Sequence, residues 1–282
     1  MIIFLSLILS ISSTCTTKTN ITNPWDNDSP LLLEMSFEDN SLLDLVQSVA
    51  LTVSLSDEDI YLEKELTIQN GEIKDQIEVP AGDSWIFTLE ALDSSKNPIY
   101  RGSTIASVVG GQTNQVNIKL SPVVFLLKLD PVYQKISNSE PFVLEVKLYN
   151  VEDLFGISFR VEFDTASLIC TEVSSGDFLG SSDSTIFFSK ADTLKGYVAV
   201  GYSKIQGNGS GVSGDGVLAR IYFRAKEVPG ENPFGVNLVF NTETLCFYDP
   251  AGERPEWKDS LYIHNAQIWL QSSIQRLGYS GR

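Results

Sequence analysis

The stretch GNGSGVSGDGVLARIYFRAK, residues Gly207–Lys226, joins a glycine-rich segment to a patterned apolar one. Residues 209–214 match G-x-G-x-x-G, the pattern of a dinucleotide-binding loop. Such a loop must lead into a helix, because the helix N-terminus binds the pyrophosphate. Val217–Ala225 instead alternates with the period of a strand. We therefore expect no nucleotide site, but a flexible, hairpin-type connection from a strand at Tyr197–Ser203 to one at Val217–Ala225.

The overall composition excludes several classes of function. The chain has 282 residues and a formal net charge of −16, so binding of nucleic acid or anionic lipid through a basic patch is not expected. His264 is the one histidine. That argues against histidine metal sites and against Ser-His or Cys-His nucleophile pairs. We expect no enzyme and predict no catalytic residue, no metal site and no cofactor.

The N-terminus has the character of an export signal. Met1–Ile11 is apolar but too short to span a bilayer, and small residues follow it up to Cys15. Residues 1–15 resemble a bacterial lipoprotein signal, which predicts lipidation of Cys15; an ordinary secretory signal is the alternative. The expected location is the bacterial cell surface or outer membrane, with membrane contact only through the lipid, or else the secreted fraction.

The remainder of the chain predicts an all-β protein of two domains. Residues 16–30 are polar with two prolines and are assigned as a flexible tether. Residues 31–121 show about seven short strands separated by turns, including Ile99–Arg101 and Ile105–Val109, which indicates an immunoglobulin-like β-sandwich. Residues 123–271 predict a nine-stranded jelly-roll sandwich, and residues 272–282 a C-terminal tail. The nine strands are expected at 123–129, 142–149, 155–163, 168–173, 185–189, 197–203, 217–225, 236–240 and 266–270.

Two cysteines lie in this second domain, Cys170 and Cys246. Export would permit a disulfide between them. Both lie in apolar, strand-like runs, so two buried thiols are equally compatible with the sequence.

Five segments of residues 123–271 occur in the order of one known family. They are Phe142–Val151, Asp153–Asp164, Gly176–Gly180, Gly196–Lys204 and Gly214–Ala225. Together they resemble the cohesins, receptor modules of bacterial cellulosomes, in which the last segment introduces the seventh strand. Thr165 departs from the family by standing where proline is common, and no Pro/Thr-rich linker or second cohesin is present.

The resemblance implies a dockerin-like module as partner, in polysaccharide breakdown. In cohesins the dockerin lies on the sheet made by the strands that correspond here to the third, fifth, sixth and eighth. Strand alternation then predicts which side chains face the partner. We expect the core to receive Ile157, Phe159, Val161, Phe163, Val198, Val200 and Tyr202. We expect the partner to meet Gly156, Ser158, Arg160, Glu162, Tyr197, Ala199, Gly201 and Ser203.

Other patterns suggest alternatives. Carboxylate pairs such as Glu152-Asp153 could in principle cleave a sugar bond, and Asp57-Glu58-Asp59 could bind calcium, but solvated loops and an acidic turn account for them. Trp257 and Trp269 could stack on sugar, although core or rim positions are favoured. Three functions compete: a receptor for a dockerin-like module, a carbohydrate-binding module that docks on polysaccharide, and an adhesion or stalk protein.

Overall fold

A computed structural model describes residues 28–39, 41–55, 60–66, 68–69, 72–73, 77–205, 209–227 and 233–271. The chain divides into two compact units between Val123 and Val124. Regular structure in the described ranges is β throughout, apart from three short 3-10 turns. The predicted signal with Cys15, the acidic run at 57–59 and the tail at 272–282 lie outside the described residues.

The first unit is built on one continuous path of seven hydrogen-bonded strands, with a short two-stranded ladder beside it. In sheet order the path runs β3-β2-β7-β8-β9-β1-β6, and β4 pairs with β5. Strand β1 runs parallel to β9, while the other pairs are antiparallel. The strands are β1 Asp28–Phe37, β2 Ser48–Ser54, β3 Ile60–Leu66, β4 Ile68–Gln69, β5 Glu72–Ile73, β6 Glu78–Pro80, β7 Gly82–Leu92, β8 Pro98–Val108 and β9 Asn114–Pro122.

The described part of this unit has nine strands rather than the predicted seven or so, and two details also differ from the sequence prediction. Asp28–Pro30, assigned to the tether, belong to β1 and pair with β6. Strand β8 is one continuous strand where two were expected. The polar residues in its middle interrupt the apolar alternation, but they continue the ladder with β7, and Ser103 Oγ lies 3.0 Å from Thr88 Oγ1.

The second unit is a two-sheet sandwich. One sheet has the order β14-β17-β12-β10-β20, and the other has the order β11-β21-β18-β13-β16-β15, with β19 also paired to β13. The strands are β10 Leu126–Asp130, β11 Tyr133–Ser137, β12 Pro141–Leu154, β13 Gly156–Glu162, β14 Leu168–Ser175, β15 Thr185–Asp192, β16 Tyr197–Lys204, β17 Val212–Ala225, β18 Phe234–Phe240, β19 Cys246–Tyr248, β20 Tyr262–His264 and β21 Ala266–Gln271.

The described part of this unit therefore has twelve strands rather than nine. The three additional strands are β11, β19 and β20, each of five residues or fewer. Such short segments contain too few residues to establish an alternating pattern, so pairing with longer neighbours decides their conformation.

Aromatic side chains from both sheets fill the core of the second unit. Phe223 of β17 stacks against Phe142 at 5.5 Å between ring centroids and meets the edge of Phe163 at 5.2 Å. Phe159 and Phe240 form a further edge contact at 6.0 Å within the opposite sheet. Because these rings are buried, their apolar area fixes the two sheets against each other.

The glycine-rich segment crosses from one sheet to the other. Strand β16 lies in one sheet and β17 in its partner, so the predicted hairpin-type connection is wrong, whereas the predicted strand after it is confirmed. Gly214 has a φ of +108°, which suits glycine. At Gly211, an added Cβ would lie 2.2 Å from the carbonyl carbon of Asp153. Glycine is therefore required at Gly214 by the positive φ and at Gly211 by the close approach of two backbone segments.

The two cysteines of this unit are free, so they form no disulfide. Cys170 packs in the core from β14. Cys246 lies on β19 in the other sheet and is only half-buried, while its neighbour Phe247 packs in the core. Side chains of successive strand residues point to opposite faces, so Cys246 faces away from Cys170.

Candidate partner-binding face

Four strands of the second unit, β18, β13, β16 and β15, lie side by side in that order. They are the third, fifth, sixth and eighth strands of the predicted set, and the structure places them in one sheet. Their register aligns the outward positions in four cross-strand rows, which together define the outer face. From β15 through β16 to β13, the rows are Ile186–Ser203–Gly156, Phe188–Gly201–Ser158, Lys190–Ala199–Arg160 and Asp192–Tyr197–Glu162.

The predicted alternation along β13 and β16 holds for the core side. All seven residues expected to point inward are buried. Of the residues expected to face out, one is different: Gly156 is buried. Strand β19 pairs beside it, and a Cβ added at Gly156 would lie 3.1 Å from Ser203 Oγ. Gly156 therefore offers a partner little surface. The other predicted residues of this face are half-exposed.

One end of the outer face is an apolar groove of about 620 Å³. One wall comes from β15, where Ile186 is 42% and Phe188 is 71% exposed, and the other includes Tyr248 of β19, which is 44% exposed. Gly201 lines the floor, and a Cβ added there would meet nothing within 4 Å. Exposed apolar walls over a small-residue floor leave room for an apolar side chain of a partner.

Both walls of this groove were missed from the sequence. On β15 the sequence is ambiguous, because Ile186, Phe187 and Phe188 are consecutive apolar residues. The edge contact of Phe187 with Tyr202, at 5.4 Å between ring centroids, shows that Phe187 points inward and its two neighbours outward. Tyr248 could not have been placed, because β19 is only three residues long and its pairing with β13 depends on the folded sheet.

The other end of the outer face is charged and forms a pocket of about 470 Å³. Its lining includes Arg160, Lys195 and Tyr197. The guanidinium carbon of Arg160 lies 4.1 Å from the centre of the Tyr197 ring, a cation–π contact between the two predicted anchor residues. Glu162 also lines this pocket, and its carboxylate accepts a hydrogen bond of 2.7 Å from Asn241 Nδ2.

The turn between β15 and β16 holds Lys195 at the edge of this pocket. Backbone N–H groups of Lys195 and Leu194 donate to Asp192 Oδ1 at 3.0 and 3.2 Å. These bonds hold the pKa of the Asp192 carboxyl below its usual value. Gly196 closes the turn with a φ of +73°, and its carbonyl accepts a hydrogen bond of 2.8 Å from the N–H of Phe163. The turn is thereby tied to the end of β13.

The two tryptophans of this unit occupy core and rim positions, as predicted. Trp257 is buried between Phe125 and Phe247, and its Nε1 donates to the carbonyl of Glu152 at 2.8 Å. Trp269 is half-buried and donates to Gln267 Oε1. The two exposed aromatics of the groove, Phe188 and Tyr248, stand on opposite walls with β16 and β13 between them.

The remaining candidate groups do not converge on the outer face. His264 lies on β20 in the opposite sheet, with Nδ1 2.9 Å from the carbonyl of Asn265. Asp153 Oδ1 accepts a hydrogen bond from the N–H of Gly211. Across the described ranges, no group of three or more His, Cys, Asp or Glu side chains is placed to hold a metal ion. Within the same ranges, no helix has the length and apolar character to cross a bilayer.

Comparison with known proteins identifies the second unit. Residues 138–253 match the family model described as the cohesin domain. This part of the chain is a cohesin domain, and the predicted resemblance is confirmed. No curated protein matches the chain significantly.

Several solved structures are similar over about half of the chain. One is the third cohesin of ScaC from Acetivibrio cellulolyticus, solved in complex with the ScaB dockerin, at 14% identity; the match covers 52% of this chain and 99% of that one, with a TM-score of 0.45. A second is the seventh ScaB type I cohesin of Pseudobacteroides cellulosolvens, at 14% identity, 56% and 99% coverage and a TM-score of 0.44. A third is a non-cellulosomal cohesin of the archaeon Archaeoglobus fulgidus, at 16% identity, 52% and 91% coverage and a TM-score of 0.41.

Proposed function

We propose that the chain is an exported receptor without catalytic activity, whose cohesin domain binds a dockerin-type module on the outer face. The observation that carries the proposal is the groove between the β15 and β19 walls. Gly201 leaves its floor open, and Phe188 beside it is largely exposed. An exposed aromatic next to an open floor is the arrangement of an interface anchor, because it buries large apolar area when a partner covers it.

The family match supports this choice of partner. Cohesin domains are protein-binding modules, and the ScaC cohesin was solved with a dockerin bound. The two ends of the outer face differ in chemistry, which would fix the orientation of a partner: apolar contacts favour one end, and charged contacts the other.

We extend the proposal to the N-terminus and the first unit of the chain. Lipidation of Cys15 would hold the protein at the cell surface, and the first unit would act as a spacer between the lipid and the receptor domain. A bound dockerin-bearing enzyme would then act in polysaccharide breakdown close to the cell. Mass spectrometry of the mature N-terminus tests the anchor.

Binding can be tested with matched truncations on the two sheets. We expect Phe188→Ala to weaken the affinity for a dockerin module about 30-fold or more, because it removes an exposed aromatic anchor worth about 2 kcal/mol. Ile169→Ala is the control, since Ile169 is also an exposed apolar residue but lies on β14 in the opposite sheet. Isothermal titration calorimetry of the full chain with a panel of dockerin modules, the ScaB dockerin among them, gives both affinities.

The outcomes separate the three functions. Loss of affinity in Phe188→Ala but not in Ile169→Ala supports the receptor. Equal binding by both variants would place the contact elsewhere. Failure of every dockerin module, with retention of the chain on an insoluble polysaccharide, would favour a carbohydrate-binding module, and binding to neither would favour a stalk.

A further inference from the structure

The charged pocket contains an arginine whose hydrogen-bonding capacity is unused. Arg160 Nε is shielded from solvent and has no hydrogen-bond acceptor. Among the described residues, the guanidinium makes neither a hydrogen bond nor an ion pair, and its one side-chain partner is the face of Tyr197. A buried donor without an acceptor costs stability, so water or a bound group is expected to complete the hydrogen bonding of this guanidinium. The stacked Tyr197 ring holds the planar fork in position for such a partner.

Two further cations lie near this arginine. Lys190 belongs to the same cross-strand row as Arg160, with only the small Ala199 between them, so their Cα atoms are roughly 10 Å apart. Lys195 lines the pocket from the β15–β16 turn. In a chain with a net charge of −16, this end of the face carries three cations against the carboxylates of Asp192 and Glu162, which is a local excess of positive charge. Such a patch favours a negatively charged group on a partner.

The acidic groups at this end do not pair with Arg160, although the charge of Asp192 interacts with Lys195 and Lys190. Asp192 accepts two backbone hydrogen bonds from its own turn, and Glu162 accepts one from Asn241. Both carboxylates reduce the positive potential of the pocket, but neither lies within ion-pair distance of Arg160. Asn237, on the β18 side of the pocket, adds an amide to the lining. The pocket therefore offers an unpaired guanidinium fork, an ammonium group and an amide.

We propose that this pocket is a carboxylate receptor, and that an acidic side chain of the docking partner fills it. The guanidinium fork matches the two oxygens of a carboxylate, because its two terminal nitrogens, which are not shielded as Nε is, can donate side by side. The assignment of the carboxylate to a docking partner rests on the proposed function, since it requires a partner on the outer face. With such a pocket, the outer face would select modules that carry an Asp or Glu opposite Arg160. The apolar groove would accept a hydrophobic side chain of the same module.

Binding of a carboxylate by the pocket can be tested without any partner. The full ¹⁵N-labelled chain is titrated with sodium acetate, and the Nε–Hε NMR signal of Arg160 is followed; burial of Nε slows proton exchange and favours its detection. We expect a saturable shift with half-saturation on the order of 10–100 mM acetate. Sodium chloride at equal ionic strength is the first control. The signal of Arg224, an exposed arginine on the opposite sheet, is the second.

Two variants confirm the assignment. In Arg160→Gln the acetate response of the Tyr197 backbone amide should disappear, and in Lys195→Gln the apparent affinity should fall about two- to fivefold. If the Arg160 signal moves no more than that of Arg224, or moves equally in chloride, the proposal that the pocket binds carboxylates is wrong.

The role of the pocket in docking has its own measurement. Arg160→Gln should weaken a dockerin module that binds the wild type about tenfold or more, and acetate should compete where chloride does not. Saturable acetate binding together with unchanged module affinity in Arg160→Gln would overturn the partner assignment. If no dockerin module binds, the proposed function fails, but the acetate titration still decides whether the pocket receives carboxylates.

Discussion

Replacement of Asp130 by Asn should destabilise the second unit measurably. Asp130 ends strand β10 and accepts two ion-pair contacts: Lys128 Nζ lies 2.9 Å from its Oδ1, and Lys147 Nζ lies 2.6 Å from its Oδ2. Lys147 also pairs with Glu145 at 3.0 Å, and Glu145 pairs with Arg220 at 2.8 Å. These five residues form a charge network across the sheet opposite the outer face.

The size of the effect follows from burial. The side chain of Lys128 is only 4% exposed, so its ammonium group would lose a charged partner largely out of water. Breaking a fully buried pair costs about 3–5 kcal/mol. Asp130 is 30% and Lys147 is 24% exposed, so solvent screens part of the loss. The expected cost of Asp130→Asn is therefore about 1.5–3 kcal/mol in the free energy of unfolding.

Asp259→Asn provides the matched control. Asp259 pairs with Arg254 in the same unit, but both side chains are more than half exposed. Its loss should cost less than about 0.5 kcal/mol. Because the two units can unfold separately, the measurement is hydrogen exchange of the slowest backbone amides in β12 and β17, which reports the stability of the second unit alone.

The pH dependence gives a second criterion. Burial raises the pKa of the Asp130 carboxyl, but hydrogen bonds and charge from Lys147 and Lys128 outweigh burial and hold this pKa below its usual value. The wild type gains this stability above the unfolded pKa of about 3.9 and loses it as the pH falls through the folded pKa. The stability difference between wild type and Asp130→Asn should thus shrink below about pH 4. A cost at pH 7 no larger than that of Asp259→Asn would refute the reasoning.

Two further outcomes are expected. Gly211→Ala should lower the free energy of unfolding by about 2 kcal/mol or more, because the added Cβ would lie 2.2 Å from the backbone of Asp153. Gly201→Ala, with open space around its Cβ, should change it by no more than about 0.5 kcal/mol. Chemical denaturation compares the two variants, and equal stabilities would contradict the close approach at Gly211. Burial raises the pKa of the Cys170 thiol to about 11. Iodoacetamide at pH 8 should therefore label Cys246 and leave Cys170 unmodified until denaturant is added. Peptide mass spectrometry detects each label, and prompt labelling of Cys170 would count against its burial.

The local pattern of the sequence determined the all-β architecture and the direction of most side chains. Alternation along β13 and β16 placed residues such as Phe159 and Val200 in the core, because strand geometry sends successive side chains to opposite faces whatever the partner strand. The strand after the glycines was predictable for the same reason. Order and spacing of the five cohesin-like segments also carried the family, which the match at 138–253 confirmed.

Tertiary structure decided what no local pattern contains. Whether β16 and β17 form a hairpin or cross between sheets depends on strand pairing, which is a long-range property. The pairing of β19 with β13 buried Gly156 and brought Tyr248 to the groove, and a three-residue strand has no pattern of its own to announce this. The stacking of Arg160 on Tyr197 likewise required β13 and β16 to be neighbours in a fixed register. Local chemistry fixes which way a side chain points, while the contacts it meets there depend on residues distant in the sequence, which only the folded sheets bring together.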